Sequence, residues 1–376
     1  MNIWVIGRSY PLMINNMQGS FELEQAKMLA KHGHNVSYLA CVFHPFKKIR
    51  KWGFCKWNEE NMYVYTNSQF YAHERMKLHL DPFKAYIWEK FLNRVEQETG
   101  IPDVIHVHYP ANITVARLIL AYQKKGTKVI CTEHWTQVLK QTIDAYERKQ
   151  LKEYVDNANA FLCVGVPLKN AIEEITQTAK SVYVIPNIAN SLFKVRKKEN
   201  TIYNFIAVGA VIPHKQFDKI IEAFGAVFKG VHDVQLTIVG NGVELGNLKK
   251  LVSKMALNEQ VKFTGELKRE ETADYVSNSD ALVCYSRCET FGVPIIEAWS
   301  CGIPVIATTA AAVIDNWNDR LGIEISPDDI SQLKEAMKDI YMNRMNYSKE
   351  YISNFSEEHF SEEKVYSMLL KYYQKE

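Results

Sequence analysis

The sequence contains no long apolar segment. Its 376 residues are 47% hydrophobic and 23% charged, a balance typical of soluble globular proteins. No segment approaches the roughly 20 apolar residues that a membrane-spanning helix needs. Met1 and Asn2 lead directly into a predicted strand, so the N-terminus lacks the pattern of a signal peptide. We therefore expect a cytoplasmic protein, either free or held peripherally on the cytosolic face of a membrane.

Paired cysteines and acidic metal motifs are missing as well. The seven cysteines are odd in number and scattered, and no two of them form a Cys-x-x-Cys pair. This spacing argues against a zinc site and against a disulfide framework, so we expect reduced thiols that serve packing. No Asp-x-Asp occurs near a predicted strand end. We therefore expect no metal site and no cofactor.

The chain lacks an excess of charge of one sign. Its 45 Lys and Arg nearly balance 43 Asp and Glu, which argues against a nucleic-acid partner. The distribution is nevertheless uneven. Residues 1–187 hold 23 Lys and Arg against 17 Asp and Glu, whereas the remainder holds 22 against 26. The basic N-terminal half suits an anionic acceptor or a membrane surface.

Short β-branched or aromatic runs alternate with longer helical patterns along the whole chain. This alternation predicts an α/β protein whose parallel sheets are covered by helices on both faces. Two series of strands predict two Rossmann-like domains, over residues 1–187 and 188–357. The predicted strands are residues 3–6, 35–40, 62–65, 104–108, 128–132, 161–164 and 182–185 in the first series, and 205–208, 235–239, 261–264, 281–285 and 304–307 in the second.

The segment YSRCETFGVPIIEAWSCGIPVIAT, residues 285–308, is the most informative part of the sequence. A buried strand leads into a polar loop, and Pro294 suits the first turn of the helix that follows. Glu289 lies just past the strand, where open parallel sheets bind ligands. We expect Glu297 in the first turn of the helix, where its side chain leans back towards the same crevice.

Free N–H groups at the start of that helix offer a site for a phosphate group. Gly292 lets the backbone approach a ligand closely. A phosphate flanked by two carboxylates that accept sugar hydroxyls is the arrangement that a nucleotide-sugar requires. A surface loop and an ordinary helix with a chance pair of glutamates is the simpler alternative.

The whole segment resembles the Glu-x7-Glu signature of glycosyltransferase family 4, the retaining transferases of GT-B fold. The match includes Ser286, Phe291-Gly292, Glu297-Ala298 and the Gly-x-Pro-Val that begins at Gly302. The resemblance implies two Rossmann-like domains that face a central cleft, with a C-terminal helix over residues 358–376 packing back on the N-terminal domain. It also implies a hexosyltransferase without a metal, in which the N-terminal domain binds the acceptor and the C-terminal domain binds the nucleotide-sugar.

The resemblance also assigns roles to individual residues. Glu289 and His134 would contact the donor sugar at the reaction centre, Glu297 would hold the ribose diol, and Lys215 would bind the diphosphate. The family carries an Arg where this chain has Ala210, which puts the strength of diphosphate binding in question. The remaining residues implied in substrate binding are Gly19, Gly209, Gly265, Leu267, Thr290, Phe291, Gly292 and Val293. Of these, Gly265 and Leu267 lie where family members hold the nucleotide base through backbone contacts.

Three further patterns have ordinary structural alternatives. Gly19 follows Gln18 where the family usually has two adjacent glycines, and the alternative is a plain turn before a helix. His106 and His108 share one face of a strand, but no third metal ligand has suitable spacing, so we favour packing or the acceptor pocket. Gly240, Gly242 and Gly246 come close to a dinucleotide fingerprint, yet the spacing and the missing acidic residue exclude NAD.

Residues 47–57 combine five cations with three aromatic side chains. This mixture suits an anionic bilayer or a lipid-phosphate acceptor, and its alternative is a solvated loop with partly buried Trp. The residues we assign to this membrane surface are Lys47, Lys48, Arg50, Lys51, Trp52, Lys56 and Trp57.

The function predicted from the sequence is transfer of a sugar from a nucleoside diphosphate, UDP rather than GDP, to a saccharide or lipid-linked saccharide. Two alternatives stay open. One is a nucleotide-sugar 2-epimerase of the same fold, which would turn over its donor without an acceptor. The other is a non-catalytic partner of a transferase, for which Ala210 and the absent second glycine are the only support.

Overall fold

The computed structural model describes residues 1–11, 19–44, 52–70, 81–198, 201–311, 313 and 317–374. The chain divides into two compact units. The first comprises Met1–Ile188 together with Val365–Glu376, and the second comprises Ala189–Lys364. Within the described ranges, no helix combines the length and the apolar character that crossing a membrane would require.

The first unit is built on an eight-stranded sheet in the order β3-β4-β2-β1-β5-β6-β7-β8. Its strand pairs are parallel except for β3, which runs antiparallel to β4 at the sheet edge. The strands are β1 (Asn2–Ile6), β2 (Asn35–His44), β3 (Gly53–Glu59), β4 (Met62–Phe70), β5 (Val104–His108), β6 (Lys128–Glu133), β7 (Ala160–Cys163) and β8 (Val182–Val184).

Helices form most of the connections between these parallel strands, whereas β2 and β4 are joined through β3. The helices are α1 (Ser20–Lys31), α2 (Asp81–Thr99), α3 (Ala116–Leu120), α4 (Thr136–Leu139), α5 (Ala145–Asn157) and α6 (Val166–Thr176). The last helix of the chain, α13 (Glu362–Gln374), also belongs to this core, because Val365, Leu369 and Tyr373 are buried against the residues of β1, β2 and α1.

The second unit is built on a six-stranded parallel sheet in the order β11-β10-β9-β12-β13-β14. Its strands are β9 (Tyr203–Val208), β10 (Val234–Val239), β11 (Val261–Gly265), β12 (Ala281–Cys284), β13 (Val305–Thr308) and β14 (Gly322–Ile325). Its helices are α7 (Phe217–Phe228), α8 (Leu245–Lys254), α9 (Arg269–Ser277), α10 (Val293–Ser300), α11 (Ile330–Met342) and α12 (Lys349–Phe360).

Every strand predicted from the sequence is present, with ends that differ by a few residues. Strands β3 and β14 were not predicted. Strand β3 mixes charged and aromatic residues, and its sequence was interpreted as a basic loop; at the sheet edge one face stays exposed, so an apolar run is unnecessary. The C-terminal helix expected over residues 358–376 begins later than expected, at Glu362, because the chain breaks at Ser361 between α12 and α13.

The glycines of the rejected dinucleotide pattern have a packing role. At Gly240 the backbone φ is 140°, and a Cβ atom there would lie 1.9 Å from the carbonyl oxygen of Gly209. At Gly242 a Cβ would lie 2.2 Å from the carbonyl oxygen of Val211. The loops that follow β9 and β10 therefore touch backbone to backbone, and the Val211 N–H donates to the Asn241 carbonyl at 3.0 Å.

This contact leads to a paired prediction for two neighbouring glycines. Gly240→Ala should destabilise the second unit by about 3 kcal/mol, because both the conformation and the space exclude a methyl group. Gly246→Ala is the matched control: a methyl there enters open space in the first turn of α8. Removing a helical glycine should stabilise the unit by about 0.5 kcal/mol. Urea denaturation, monitored by circular dichroism, measures the free energy of unfolding of both variants. Equal values would contradict the close backbone contact at Gly240.

Candidate active site

The start of α10 has the backbone geometry on which the predicted anion site depends. Gly292 caps the helix in the left-handed conformation, with a φ of 92°, and Pro294 occupies the first turn. The backbone N–H groups of Gly292 and Val293 precede the intrahelical ladder, so the helix itself gives them no acceptor. Together with the helix dipole they favour a negatively charged group at this position.

Lys215 and Glu289 form an ion pair, although 74 positions separate them in the sequence. Lys215 ends a short 3-10 turn after β9, and Glu289 lies in the loop between β12 and α10. Their side chains are only 18% and 12% exposed. Burial would lower the pKa of the Lys215 ammonium, but the Glu289 carboxylate outweighs it and leaves that pKa above its usual value. The structure thus brings two of the predicted site residues into contact, with the lysine charged.

A second set of bonds fixes the backbone around Lys215. The N–H of Arg287 donates to the His214 carbonyl at 2.9 Å, which joins the loop after β12 to the turn after β9. Asp328, beyond β14, accepts from Arg287 Nε and from the Gln216 amide, both at 2.7 Å. Three loops are therefore tied together beside the ion pair.

Glu297 lies deeper than the sequence analysis expected. It is the fifth residue of α10, in the second turn rather than the first, and is 2% exposed. Arg269 Nη2 lies 2.6 Å from Glu297 Oε1 and neutralises this carboxylate. The Arg269 guanidinium also lies over the Phe193 ring, 5.0 Å from its centroid. The sequence analysis missed Arg269, because one Arg at a helix start follows no recognisable pattern.

Arg269 links Glu297 to the loop that was predicted to hold the nucleotide base. That loop contains Gly265, which has a φ of 75°, and Leu267, and it ends where Arg269 begins α9. The Gly265 carbonyl accepts from the Gly240 N–H at 2.9 Å, so the ends of β10 and β11 are also joined. The predicted base and ribose residues therefore lie in one continuous region.

Other predicted residues fall around the same two loops. Phe291 and Val293 are buried, and Thr290 is half-buried between Glu289 and the helix start. Gly209 lies next to the Lys215 side chain: a Cβ there would be 3.9 Å from Lys215 Cε. Ala210 is exposed and gives this loop no cation where the family has an Arg.

His134 lies in the first unit, at the carboxyl end of β6, and is 7% exposed. Its Nε2 lies 2.9 Å from Nδ1 of His108, the last residue of β5. The ring of Tyr109 stacks on its face with centroids 4.9 Å apart. His106 is bonded to the Tyr373 hydroxyl at 2.6 Å and to Thr132 Oγ1 at 2.7 Å. His106 and His108 thus belong to a packed cluster, one of the two alternatives favoured from the sequence.

Glu133 is a second residue that the sequence analysis overlooked. Its carboxylate is fully buried and accepts the backbone N–H groups of Ala111, His134 and Trp135 at 3.1, 2.8 and 2.9 Å. Burial, opposed by these three donors, raises the pKa of Glu133 to about 7. Its position beside His134 was the available signal, and its role is to fix the loop that carries that histidine.

The loop after β1 contributes a buried ion pair and a close glycine contact. A Cβ at Gly19, which has a φ of 90°, would lie 2.1 Å from the Ser9 carbonyl oxygen. Glu22 is fully buried, and its Oε1 lies 3.7 Å from Arg8 Nε. Gln18 lies outside the described residues. Within the described ranges, no group of three His, Cys, Asp or Glu side chains has the arrangement of a metal site.

Two family models match consecutive parts of the chain. The model for "Glycosyltransferase Family 4" matches residues 20–190, and the model for "Glycosyl transferases group 1" matches residues 189–358. The two matches meet at the boundary between the units and together span most of the sequence. The chain belongs to glycosyltransferase family 4.

Similar proteins agree with this assignment of a glycosyltransferase. N-acetyl-alpha-D-glucosaminyl L-malate synthase of Bacillus anthracis is 22% identical over 305 residues, which cover 77% of this chain and 75% of that protein. An uncharacterized glycosyltransferase of Methanocaldococcus jannaschii is 29% identical over 275 residues, covering 69% of this chain and 73% of that protein.

Solved structures establish the fold of this glycosyltransferase as GT-B. Sucrose-phosphate synthase from Thermosynechococcus elongatus aligns with a TM-score of 0.79 at 18% identity, over 99% of this chain and 98% of that chain. HepE of Anabaena, in complex with UDP and glucose, aligns with a TM-score of 0.70 at 14% identity, again over 99% and 98%. At such identities the likeness concerns the fold.

The ion pair of Arg269 and Glu297 leads to a stability prediction. Arg269→Met should destabilise the second unit by about 2–3 kcal/mol, less than for a fully buried pair, because Arg269 is partly exposed. The double variant Arg269→Met, Glu297→Gln should recover part of that loss, because the buried glutamine carries no charge that needs a cation. The measurement is hydrogen exchange of α10 peptides in increasing urea.

Arg196→Met provides the matched control for this cycle. Arg196 is 34% exposed, close to the 35% of Arg269, but pairs with the well exposed Asp274. Its loss should cost less than about 1 kcal/mol. A double variant as unstable as Arg269→Met would show that the buried charge is not the cause.

Proposed function

We propose that this glycosyltransferase moves a sugar from a UDP-sugar to a saccharide or lipid-linked saccharide acceptor, with retention of the anomeric configuration. The observation that carries the proposal is the contact between Lys215 and Glu289 at the start of α10. A cation, a carboxylate and free helix N–H groups supply the three functions that a nucleotide-sugar needs. They respectively neutralise the diphosphate, hold the sugar hydroxyls and bind phosphate oxygens.

Lys215 is paired with Glu289 rather than exposed to solvent, and this suits a residue that changes partners when a substrate binds. The ammonium can move from one oxygen of Glu289 towards a diphosphate, because its flexible side chain allows small shifts. Glu289 then becomes available for the hydroxyls of the donor sugar. Because Ala210 supplies no second cation, Lys215 and the helix start carry the diphosphate charge between them.

In the proposed mechanism the leaving diphosphate also acts as the base. The bond between the anomeric carbon and the diphosphate oxygen breaks, and Lys215 with the N–H groups of Gly292 and Val293 stabilises the departing charge. The acceptor hydroxyl attacks from the same face and gives its proton to that oxygen. Glu289 orients the sugar, and His134 contacts it with a neutral imidazole. No metal takes part in this scheme.

Similar proteins suggest which donors to test first. The Bacillus anthracis relative is named for an N-acetylglucosaminyl group, and so is the GPI3 subunit of the phosphatidylinositol N-acetylglucosaminyltransferase of Saccharomyces cerevisiae, 21% identical over 243 residues. HepE, similar in fold, has been solved with UDP-glucose. We therefore place UDP-N-acetylhexosamines and UDP-glucose before GDP-sugars. The Glu297 carboxylate is proposed to hold the ribose diol in each of them.

The first test is hydrolysis of UDP-, GDP- and ADP-sugars in the absence of acceptor, followed by mass spectrometry. Slow release of UDP from one donor is expected. Glu289→Gln should reduce it at least 100-fold, whereas Glu335→Gln, on the exposed side of α11, should leave it unchanged. Lys215→Met should weaken UDP binding about tenfold or more but leave uridine binding unchanged, since only UDP carries the diphosphate.

Three outcomes would contradict this proposal. Equal losses of UDP and uridine affinity in Lys215→Met would show that Lys215 does not bind the diphosphate. A product of inverted anomeric configuration, seen by NMR, would exclude retention. Loss of turnover in EDTA that is restored by a divalent ion would exclude a metal-free reaction.

A membrane surface on the first unit is the second part of the proposal. Of the seven residues assigned from the sequence, Trp52 and Lys56 are exposed, and Lys56 Nζ lies 2.6 Å from Glu98. Trp57 does not belong to this surface, because it packs on Tyr10 with ring centroids 4.9 Å apart. Lys47, Lys48, Arg50 and Lys51 lie outside the described residues.

Additional aromatic side chains support such a surface. Trp52 is 39% exposed at the start of β3, and Phe70 is 48% exposed at the end of the neighbouring β4. Phe83 and Tyr86, in the first turns of α2, are 43% and 54% exposed. Exposed aromatic rings with lysines nearby are typical of proteins that bind the interface of an anionic bilayer.

Vesicle flotation tests this surface. The protein should float with phosphatidylserine vesicles and bind phosphatidylcholine vesicles much less. The double variant Trp52→Ser, Phe83→Ser should partition onto these vesicles at least about tenfold less, because it lacks two exposed aromatic rings that would enter the bilayer interface. Tyr275→Ser, which removes a ring 43% exposed on the second unit, is the control and should bind like the wild type. Equal binding by the wild type, the double variant and Tyr275→Ser would show that Trp52 and Phe83 do not form a membrane-binding surface.

A further inference from the structure

His108 and His134 form a direct bond between two imidazole rings. His108 Nδ1 and His134 Nε2 are 2.9 Å apart, and both residues are buried. This bond uses one nitrogen of each ring. The other two nitrogens, His108 Nε2 and His134 Nδ1, are buried and have no hydrogen-bond partner within the described ranges. Since unpaired buried polar atoms are rare, these two positions require an explanation.

The bond between the rings allows only two arrangements of protons. In the first, His108 Nδ1–H donates, so that His134 carries its own proton on Nδ1. In the second, His134 Nε2–H donates, and the unpaired N–H is then His108 Nε2. A buried N–H without an acceptor costs more than a nitrogen lone pair without a donor. Both unpaired nitrogens are buried atoms, but His134 as a residue is 7% exposed and His108 only 1%. The first arrangement places the N–H on His134, where a hydroxyl oxygen of a ligand beside this ring would provide the acceptor.

Stacked rings hold the pair in one orientation. Tyr109 stacks on the face of His134 with ring centroids 4.9 Å apart, and His106 stacks on the face of His108 at 4.3 Å. The Arg8 guanidinium covers the outer face of Tyr109 at 3.9 Å. Tyr109 itself has a φ of 54°, a strained conformation for a residue of this size. Such strain is found at functional sites, and here it places the ring against His134.

The surroundings keep His134 neutral. Burial, followed by the charge of Arg8, lowers the pKa of His134 to about 3. Burial likewise lowers the pKa of His108 well below its usual value. A neutral ring retains only one N–H, so the position of that proton decides what the ring can bind. The ionisable groups around the pair are Arg8, Glu22, Tyr109, Glu133, His106 and Tyr373.

We propose that His108 is a positioning residue that holds His134 in its Nδ1–H form, as a fixed hydrogen-bond donor to a hydroxyl oxygen of the transferred sugar. This inference rests on the proposed role of His134 at the donor sugar. His108 itself does not touch substrate. His108 donates its Nδ1–H to Nε2 of His134, so the proton of His134 lies on Nδ1 and that nitrogen is a donor.

The wild-type protein provides the most direct test. In protein labelled with ¹⁵N-histidine, long-range ¹H–¹⁵N NMR distinguishes the two neutral forms of each ring. The expected result is an Nδ1–H His134 that remains neutral from pH 8 down to pH 5. An Nε2–H His134, or a His134 that becomes protonated above pH 6, would overturn the proposal.

Two variants of His108 separate the bond from the packing. His108→Asn keeps an amide donor close to the position of Nδ1, and His108→Phe keeps a stacked ring without a donor. In His108→Phe the kcat should fall about tenfold with little change in KM, and His134 should become a mixture of both forms. His108→Asn should restore kcat to within about threefold of the wild type. His106→Phe, a buried neighbour that makes no bond to His134, should leave the form of His134 unchanged.

The results also separate this inference from the proposed function. If His134→Ala retains full activity, His134 does not act on the sugar, and the role given to His108 falls with it. Suppose that His134→Ala is inactive while His108→Phe keeps the wild-type kcat and keeps the His134 proton on the same nitrogen as in the wild type. Only the role of His108 is then overturned. Inactivity of His134→Ala together with rescue by His108→Asn supports both.

Discussion

The position of the first strand in each sheet determines where the functional groups of this protein meet. In the second unit β9 pairs with β10 on one side and β12 on the other, so successive connections leave in opposite directions. The loops after β9 and β12 are thereby left side by side, which is the arrangement at which open parallel sheets bind ligands. The pairing of Phe205 with Ala281 and of Ile206 with Leu282 sets the register that brings Lys215 to Glu289.

The first unit repeats this arrangement with different chemistry. Strand β1 lies between β2 and β5, and the loops after β1 and β5 carry Arg8 and Tyr109 into contact. Strand β6 adds Glu133 and His134 beside them. Because β1, β5 and β6 are parallel, their carboxyl ends concentrate these polar residues at one edge of the sheet.

The buried charges of both units follow one rule. Within the described part of the chain, three carboxylates removed from water have either a cation or several backbone donors: Arg269 for Glu297, Arg8 for Glu22, and three N–H groups for Glu133. An unpaired charge at these depths would cost several kcal/mol. Lys215 and Glu289 follow the same rule, because each neutralises the charge of the other.

Patterns with a local physical cause could be predicted from the sequence. Apolar β-branched runs predicted the strands, and Pro294 after Gly292 predicted the start of α10, because helix caps depend on the nearest residues alone. The mixed strand β3 carried no such run and was missed. Glu297 was expected in the first turn of α10, but the helix begins at Val293, one residue before Pro294, so Glu297 is its fifth residue and lies in the second turn.

The sequence by itself determined the two-domain α/β architecture, the family and the identity of most candidate residues. It did so because alternating strands and helices, a helix cap and two glutamates eight positions apart are encoded within short segments. Only the tertiary structure decided which partners these residues have: Arg269 for Glu297, Lys215 for Glu289, and His108 for His134. Each of these pairs joins different secondary-structure elements across 26 to 74 positions, and the sheet register that aligns them is a property of the whole packed chain.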